Sequence, residues 1–221
     1  MSCSSASFCF RSLRGSHAVF SLVCLLSAQG VRAAEGGGSA SFKDHPHPPD
    51  VKLADPPKLE DPEGFSVIVL GDPQSYVKFD MNQPIFELQT AWAAAQKEIL
   101  KVKTVICTGD LVEQNDLLIA NGGTLYEGKN NGNQTSRQQW ESVSRAFQRL
   151  DHVYPYVVTT GNHDYGKESA ENRNSEFPKY FHPERNPLWR KSLVATTANA
   201  FGSQSMENAA YEFSDKVWGK L

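Results

Sequence analysis

Three short apolar runs each end in glycine followed by a carboxylate or amide residue, and this repeat limits the possible folds more than any other feature of the chain. The runs close at Gly71-Asp72, Gly109-Asp110 and Gly161-Asn162. A short β-branched apolar run that meets such a turn signal is typical of a buried strand entering a loop. Two segments with helical apolar spacing separate the runs. The predicted order is therefore βαβαβ, an α/β fold with a mainly parallel sheet.

The predicted strands cover residues 65–70, 104–108 and 156–160, with one helix in each gap. The first helix should begin near Pro84, and the second at the capping box formed by Thr135 and Gln138. The apolar stripe expected to face the core on the first helix comprises Ile85, Leu88, Trp92, Ala95 and Ile99. The corresponding stripe on the second helix comprises Trp140, Val143, Phe147 and Leu150.

The stretches outside these elements carry weaker signals. Residues 116–133 are rich in glycine and asparagine, which predicts a long loop. A short helix is expected around residues 177–181, and alternation at Ala209, Tyr211 and Phe213 predicts a half-buried strand. Aromatic residues that follow the third run either wall a substrate pocket or pack in the core; they are Tyr165, Phe177, Tyr180, Phe181 and Trp189.

The N-terminus has the layout of a secretory signal peptide. Basic residues precede an apolar run at residues 18–28 that is too short to cross a bilayer, and Val31 and Ala33 suit a cleavage site. An uncleaved membrane anchor is the alternative. We expect a signal peptide at residues 1–33, a flexible Gly/Pro-rich linker at 34–63 and a folded domain at 64–221, which implies a secreted or periplasmic protein without a stable membrane span.

Composition narrows the partners of that domain. The 221 residues are 39% hydrophobic, enough for one globular domain of ordinary size. The formal net charge of -3 provides no basic footprint for a nucleic-acid backbone, so nucleic acid is excluded as a partner. Cys107 is the one cysteine beyond the leader, and its apolar neighbours indicate a buried side chain rather than a reactive thiol.

The three strand ends also predict a site. In an open α/β sheet the carboxyl ends of the strands border one crevice, so Asp72, Asp110 and Asn162 should converge there. Convergent oxygen ligands indicate a metal ion. Each Gly-Asp pair taken alone is an ordinary turn signal, which is the alternative interpretation of the pattern. A nucleotide-binding module is excluded because no glycine-rich phosphate loop follows the first strand.

These blocks resemble the first three motifs of the calcineurin-like metallophosphoesterases. The matching segments are Gly71-Asp72-Pro73-Gln74, Gly109-Asp110-Leu111-Val112-Glu113 and Gly161-Asn162-His163-Asp164. The resemblance covers roughly residues 65–164 and implies a layered α/β/β/α sandwich that is apparently truncated after the third motif. It also implies metal-dependent hydrolysis of a small phosphomonoester or phosphodiester.

The resemblance assigns a role to each motif residue. Asp110 would bridge two divalent ions (Mn, Fe or Zn), Asp72 and Gln74 would ligate the first, and Asn162 the second. His163 would protonate or stabilise the leaving oxygen. Asp164 would orient His163.

Two departures qualify the resemblance. Gln74 stands where the family usually has histidine, which places a harder oxygen ligand at the first ion. No Gly-His-x-His block follows the third motif, and His182 is not at a predicted strand end, so it is expected to be a surface or packing residue. We therefore expect an incomplete domain. A non-catalytic member of the fold that binds a ligand is the alternative.

Overall fold

The computed structural model describes residues 20–24, 55–120, 125–126, 129–130, 132–216 and 219–220. The strands are β1 (Phe20–Cys24), β2 (Phe65–Leu70), β3 (Val102–Cys107), β4 (Leu125–Tyr126), β5 (Lys129–Asn130), β6 (Val157–Val158), β7 (Leu193–Ala198), β8 (Gln204–Tyr211), β9 (Ser214–Asp215) and β10 (Gly219–Lys220). The helices are α1 (Gln74–Val77), α2 (Gln83–Ala95), α3 (Ser136–Gln148), α4 (Phe177–Tyr180) and α5 (Trp189–Ser192), with a 3₁₀ turn at Asp80–Asn82.

A parallel sheet of four strands in the order β1-β2-β3-β6 forms the centre of the fold. Leu70 at the end of β2 lies opposite Cys107 at the end of β3, and Cys107 lies opposite Val158 at the end of β6. The loops that follow the three strands therefore start at one edge of the sheet. This confirms the predicted mixed α/β fold with a parallel sheet. The third strand is shorter than predicted because β6 pairs with β3 only through Val157 and Val158.

Helix α3 confirms its prediction. Thr135 accepts from the Gln138 backbone amide, and the Gln138 side chain accepts from the Thr135 amide at 2.8 Å, which completes the capping box. The four stripe residues are fully buried. The capping box and the apolar stripe each depend on residues of the helix itself, which is why the sequence predicted them correctly.

The predicted buried face of α2 is wrong. Ile85 and Leu88 are 43% and 69% exposed, and the buried residues of the helix are Phe86, Thr90 and Ala93. The core face is thus rotated by one residue, about 100° around the helix axis. The cause is the Phe86 ring, which stacks on Tyr76 and packs against Phe147.

The core between the helices and the sheet is strongly aromatic. The Phe147 ring packs against Tyr156 and Phe181 at centroid distances of 5.1 Å, and Trp189 donates from its ring nitrogen to the Tyr156 carbonyl at 2.7 Å. Phe177, Phe181 and Trp189 are fully buried, so these aromatic residues belong to the core rather than to a pocket wall. Among the five aromatic residues that the sequence left open as pocket or core residues, Tyr165 directly follows the third motif.

The remaining predictions for single residues have mixed outcomes. Cys107 is fully buried as expected, and burial raises the pKa of its thiol to about 12. His182 is exposed, as expected of a surface residue. Strand β8 includes Ala209 and Tyr211 but ends before Phe213. The expected long loop contains the short β4–β5 ladder, and residues 121–124, 127–128 and 131 of the loop lie outside the described residues.

The N-terminal region contributes one described segment. Strand β1 pairs with β2 from Phe20 opposite Phe65 to Cys24 opposite Val69, a pairing that a cleaved leader could not make. The rest of the predicted leader, and the linker up to residue 54, lie outside the described residues. Within the described part of the chain, no helix combines the length and apolar character needed to cross a membrane.

Candidate active site

The loops after β2, β3 and β6 are joined to one another by hydrogen bonds. The Gln74 amide donates to the Asp110 carbonyl at 3.0 Å, which fixes the first loop on the second. The Thr108 hydroxyl at the end of β3 donates to Asp72 Oδ1 at 3.0 Å and so holds an exposed carboxylate in place. The alignment of the strand ends thus brings the first and second motifs into contact.

Asp110 joins the second motif to the third. Its Oδ1 accepts a hydrogen bond from the His163 backbone amide at 3.0 Å. Its backbone has a φ of 46°, in the left-handed region that non-glycine residues adopt mostly where a short polar side chain can bond locally. A strained conformation of this kind persists where the surroundings determine it, and such residues cluster at functional sites.

Gly161 is the reason that the two loops can approach so closely. A Cβ atom placed on Gly161 would lie 2.1 Å from Asp110 Oδ1 and 2.6 Å from the Asp110 amide nitrogen. From the other side, a Cβ on Gly109 would lie 2.6 Å from the Gly161 nitrogen, and the φ of Gly109 is 101°. The glycines of the motifs are therefore required for backbone contact, beyond their role as turn residues.

His163 is held by a backbone carbonyl. Its Nδ1 lies 2.9 Å from the carbonyl oxygen of Glu113, and a carbonyl only accepts, so Nδ1 carries the proton. The other nitrogen, Nε2, then carries the lone pair of the ring. Glu113 is itself fixed, since its side chain pairs with Lys78 at 3.1 Å and its amide donates to Gln139 Oε1 at 2.8 Å.

Among the described residues, no hydrogen bond joins the Asp164 side chain to His163. Asp164 is fully buried, and its two oxygens accept from the backbone amides of Val112 and Gly161 at 3.0 and 2.8 Å. The carboxylate joins the second loop to the third and acts on His163 only through the backbone. Sequence reasoning missed the role of Glu113 because a backbone carbonyl leaves no signal in residue identity.

The electrostatics of Asp164 follow from its burial. Burial raises the pKa of the Asp164 carboxyl to about 7, the amides of Gly161 and Val112 oppose the rise, and the charge of Asp110 adds to it. A buried carboxyl that accepts two amide hydrogen bonds is a structural link between the motifs.

Gln74 and Asn162 are the two amide residues among the predicted ligands. Gln74 Oε1 is buried and has no hydrogen-bond partner among the described residues. Asn162 donates from its side-chain nitrogen to the Ser169 hydroxyl at 2.9 Å, which orients the amide and leaves its oxygen available to a ligand. Buried acceptors are almost always satisfied, so the unpaired Gln74 oxygen can accept a partner from outside the protein, either a water molecule or a cation.

The donor set formed by Asp72, Gln74, Asp110 and Asn162 consists of oxygens alone. Such a set fits a hard divalent cation better than a soft one. Across the described residues, no group of three or more histidine, cysteine, aspartate and glutamate side chains is placed to hold a metal. Two of the four candidate ligands are amides, which explains why the acidic and histidine side chains alone do not form a site.

Comparison with known proteins agrees with this geometry. The family model for calcineurin-like phosphoesterases matches residues 65–209, which include the three motif loops and the β7–β8 hairpin. The uncharacterized protein YvnB of Bacillus subtilis (strain 168) is 28% identical over 122 residues, or 55% of this chain. The match spans only 8% of that much longer relative, whose name specifies no activity. No solved structure matches the chain.

The family match extends over well more than half of the 221 residues and begins at the first residue of β2. It confirms the resemblance drawn from the three motifs, and the family suggests hydrolysis of phosphoesters. The chain belongs to the calcineurin-like phosphoesterases.

Proposed function

We propose that the protein is an exported, metal-dependent hydrolase of a phosphomonoester or phosphodiester. The observation that carries the proposal is the buried Gln74 oxygen, which lacks a donor and lies on a loop bonded to the Asp110 backbone. An acceptor left unpaired in this way costs about 1–3 kcal/mol unless a ligand satisfies it. A divalent cation held with Asp72 and Asp110 would do so.

Divalent cations bound by Asp72, Gln74, Asp110 and Asn162 would supply a more acidic water and neutralise charge on the phosphoryl oxygens. The chain's own residues provide positioning and proton transfer. With Nδ1 fixed on the Glu113 carbonyl, His163 would deliver a proton from Nε2 to the departing alcohol oxygen. Asp110 would orient the same histidine through its backbone amide.

Four oxygen donors serve one hard cation adequately, whereas a second ion would have only the shared Asp110 and one amide. We therefore propose that these residues form the first part of a two-metal domain, with further ligands contributed by protein beyond the three motifs. Among the Mn, Fe and Zn ions that the family resemblance implies, Mn²⁺ is the hardest and suits this set of oxygen donors best.

Hydrolysis should be tested on the full chain with p-nitrophenyl phosphate and bis(p-nitrophenyl) phosphate. We expect turnover with added Mn²⁺, Fe²⁺ or Zn²⁺, loss of turnover on chelation, and a fall of at least about 100-fold in Asp110→Asn. Asp55→Asn makes the same charge change at an exposed position and should behave as wild type. Equal activity in Asp110→Asn and Asp55→Asn would refute the proposal.

A second candidate is a non-catalytic member of the fold that binds a ligand at this site. It is favoured by the absence, within the described residues, of any cluster of three acidic, histidine or cysteine side chains for a metal. Titration calorimetry distinguishes the two candidates. Binding of inorganic phosphate that needs no metal, combined with no turnover on either ester, would favour the binding module.

Export is proposed from the leader at residues 1–33 and is tested by N-terminal sequencing of the secreted protein. A mature N-terminus at Ala34 is the expected result. Recovery of the protein with Phe20–Cys24 still present would instead match the pairing of β1 with β2.

A further inference from the structure

A polar cavity of about 210 Å³ lies beside the third motif. Its polar lining comes from the loop after that motif and from the β7–β8 hairpin, and comprises Tyr165, Arg173, Asn199, Glu207 and Asn208. The volume is below the ~300 Å³ at which pockets for drug-sized ligands begin, so the cavity suits one small chemical group.

Tyr165 lines this cavity and connects it to the third motif. It follows Asp164 directly in the chain. Its hydroxyl lies 3.1 Å from Thr160 Oγ1, immediately before Gly161, and donates to Glu207 Oε1 at 2.8 Å. The Tyr165 hydroxyl thus links the residue before the third motif to Glu207 in the cavity lining.

Glu207 is held ready to accept hydrogen bonds. One carboxylate oxygen accepts from Tyr165, and the other accepts from the Ser205 hydroxyl at 2.7 Å. Among the described residues, no lysine, arginine or histidine forms an ion pair with Glu207. Each carboxylate oxygen has two acceptor sites, so both retain capacity for a further donor.

Arg173 contributes donors to the same cavity. Its side chain is exposed and, within the described part of the chain, has no hydrogen-bond or ion-pair partner. Asn199 and Asn208 add amide groups that both donate and accept. The cavity therefore combines fixed acceptors, free donors and amides around a small volume.

We propose that this cavity binds the alcohol part of the substrate and that this part is polyhydroxylated, a sugar or polyol. Resting on the proposed function, this inference makes the substrate a sugar phosphate or polyol phosphate. Hydroxyl groups each donate and accept, which matches the mixture of a carboxylate, a guanidinium and amides. The polar lining disfavours a lipid chain.

Comparing turnover of two esters separates the role of the cavity from that of the candidate active site. Glucose 6-phosphate carries the hydroxyl groups, whereas p-nitrophenyl phosphate carries none. Glu207→Gln keeps the size of the side chain and an acceptor for Tyr165, and Arg173→Ala removes an exposed side chain. Glu212→Gln, which changes a carboxylate outside the cavity, is the matched control.

We expect Glu207→Gln and Arg173→Ala each to lower kcat/KM for glucose 6-phosphate by roughly tenfold or more, mainly through KM, because each removes a charge-assisted hydrogen bond. Turnover of p-nitrophenyl phosphate should change less than about threefold in both variants, as in Glu212→Gln. An equal fall for both esters, or no fall for the sugar ester, would overturn the cavity assignment while leaving the hydrolase intact.

Saturation-transfer NMR with glucose 6-phosphate tests the cavity without turnover. The sugar protons should receive saturation from the wild-type protein and lose most of it in Glu207→Gln. No transfer in the wild type, or the same transfer in Glu207→Gln, refutes the inference. Failure of the hydrolase proposal is recognised separately, either by the absence of turnover on every ester or by turnover that Asp110→Asn leaves unchanged.

Discussion

Substituting Gly161 by alanine tests whether the second and third motifs depend on backbone contact. The added methyl group would lie 2.1 Å from Asp110 Oδ1 and 2.6 Å from the Asp110 amide nitrogen. The carboxylate end could rotate away only by giving up its bond to the His163 amide. The backbone nitrogen could move only if the loop after β3 moved.

The expected cost has two parts. Overpacking in a well-packed region costs about 1–3 kcal/mol, and disturbing the hydrogen bond of a charged acceptor costs about 1.5–3 kcal/mol. Because the loop relaxes in part, the two do not add fully, and we expect a loss of about 3 kcal/mol in the free energy of unfolding. Urea unfolding followed by tryptophan fluorescence measures it, since Trp140 and Trp189 are fully buried.

Gly202→Ala is the matched control. Gly202 has a φ of 79°, but a Cβ atom there would meet nothing within 4 Å. That variant therefore reports only the cost of a left-handed conformation, about 1–2 kcal/mol. A stability of Gly161→Ala within about 0.5 kcal/mol of wild type would refute the close contact of the loops, since even partial overpacking costs more than that.

Two further predictions concern the aromatic core and the ion pairs between α2 and α3. Phe147→Ala should lose about 3–5 kcal/mol of unfolding free energy, because the ring is fully buried. The control is Phe201→Ala, which should lose less than about 1 kcal/mol because the Phe201 side chain is 64% exposed. Similar losses in the two variants would count against the aromatic core. Hydrogen bonds from Arg145 and then Arg149 hold the pKa of Glu87 below its usual value. This stabilisation is present above the unfolded pKa of about 4.3 and disappears as the pH falls through the lower folded value. Glu87→Gln should cost about 1 kcal/mol at pH 7 and nothing near pH 2, and an equal cost at both pH values would contradict the ion-pair origin.

The sequence predicted best where the signal is local. The end of β2 at Leu70 and the capping box at the start of α3 agree with the structure because a strand end and a cap are determined by a few neighbouring residues. The α3 stripe was equally clear, since its polar face leaves one possible buried side. These elements were sufficient to place the three motifs at one edge of a parallel sheet.

Packing decided what the apolar pattern of α2 could not. That helix has apolar residues on more than one side, and the Phe86 ring turned the core face away from Ile85 and Leu88. The choice depended on Tyr76 and Phe147, which lie in other elements. A single-helix pattern does not contain those contacts.

The residues at the aligned strand ends selected Asp72, Asp110 and Asn162 as site candidates, because convergent oxygen ligands carry a chemical signal, and the resemblance to calcineurin-like phosphoesterases added Gln74, His163 and Asp164. Tertiary structure decided how they are supported. The carbonyl of Glu113 holds the His163 ring, while Asp164 is buried against backbone amides of both loops. Every residue has a backbone carbonyl, and every residue except proline has a backbone amide. Which of these groups contacts His163 or Asp164 therefore depends on the path of the folded backbone, and residue identity does not reveal it.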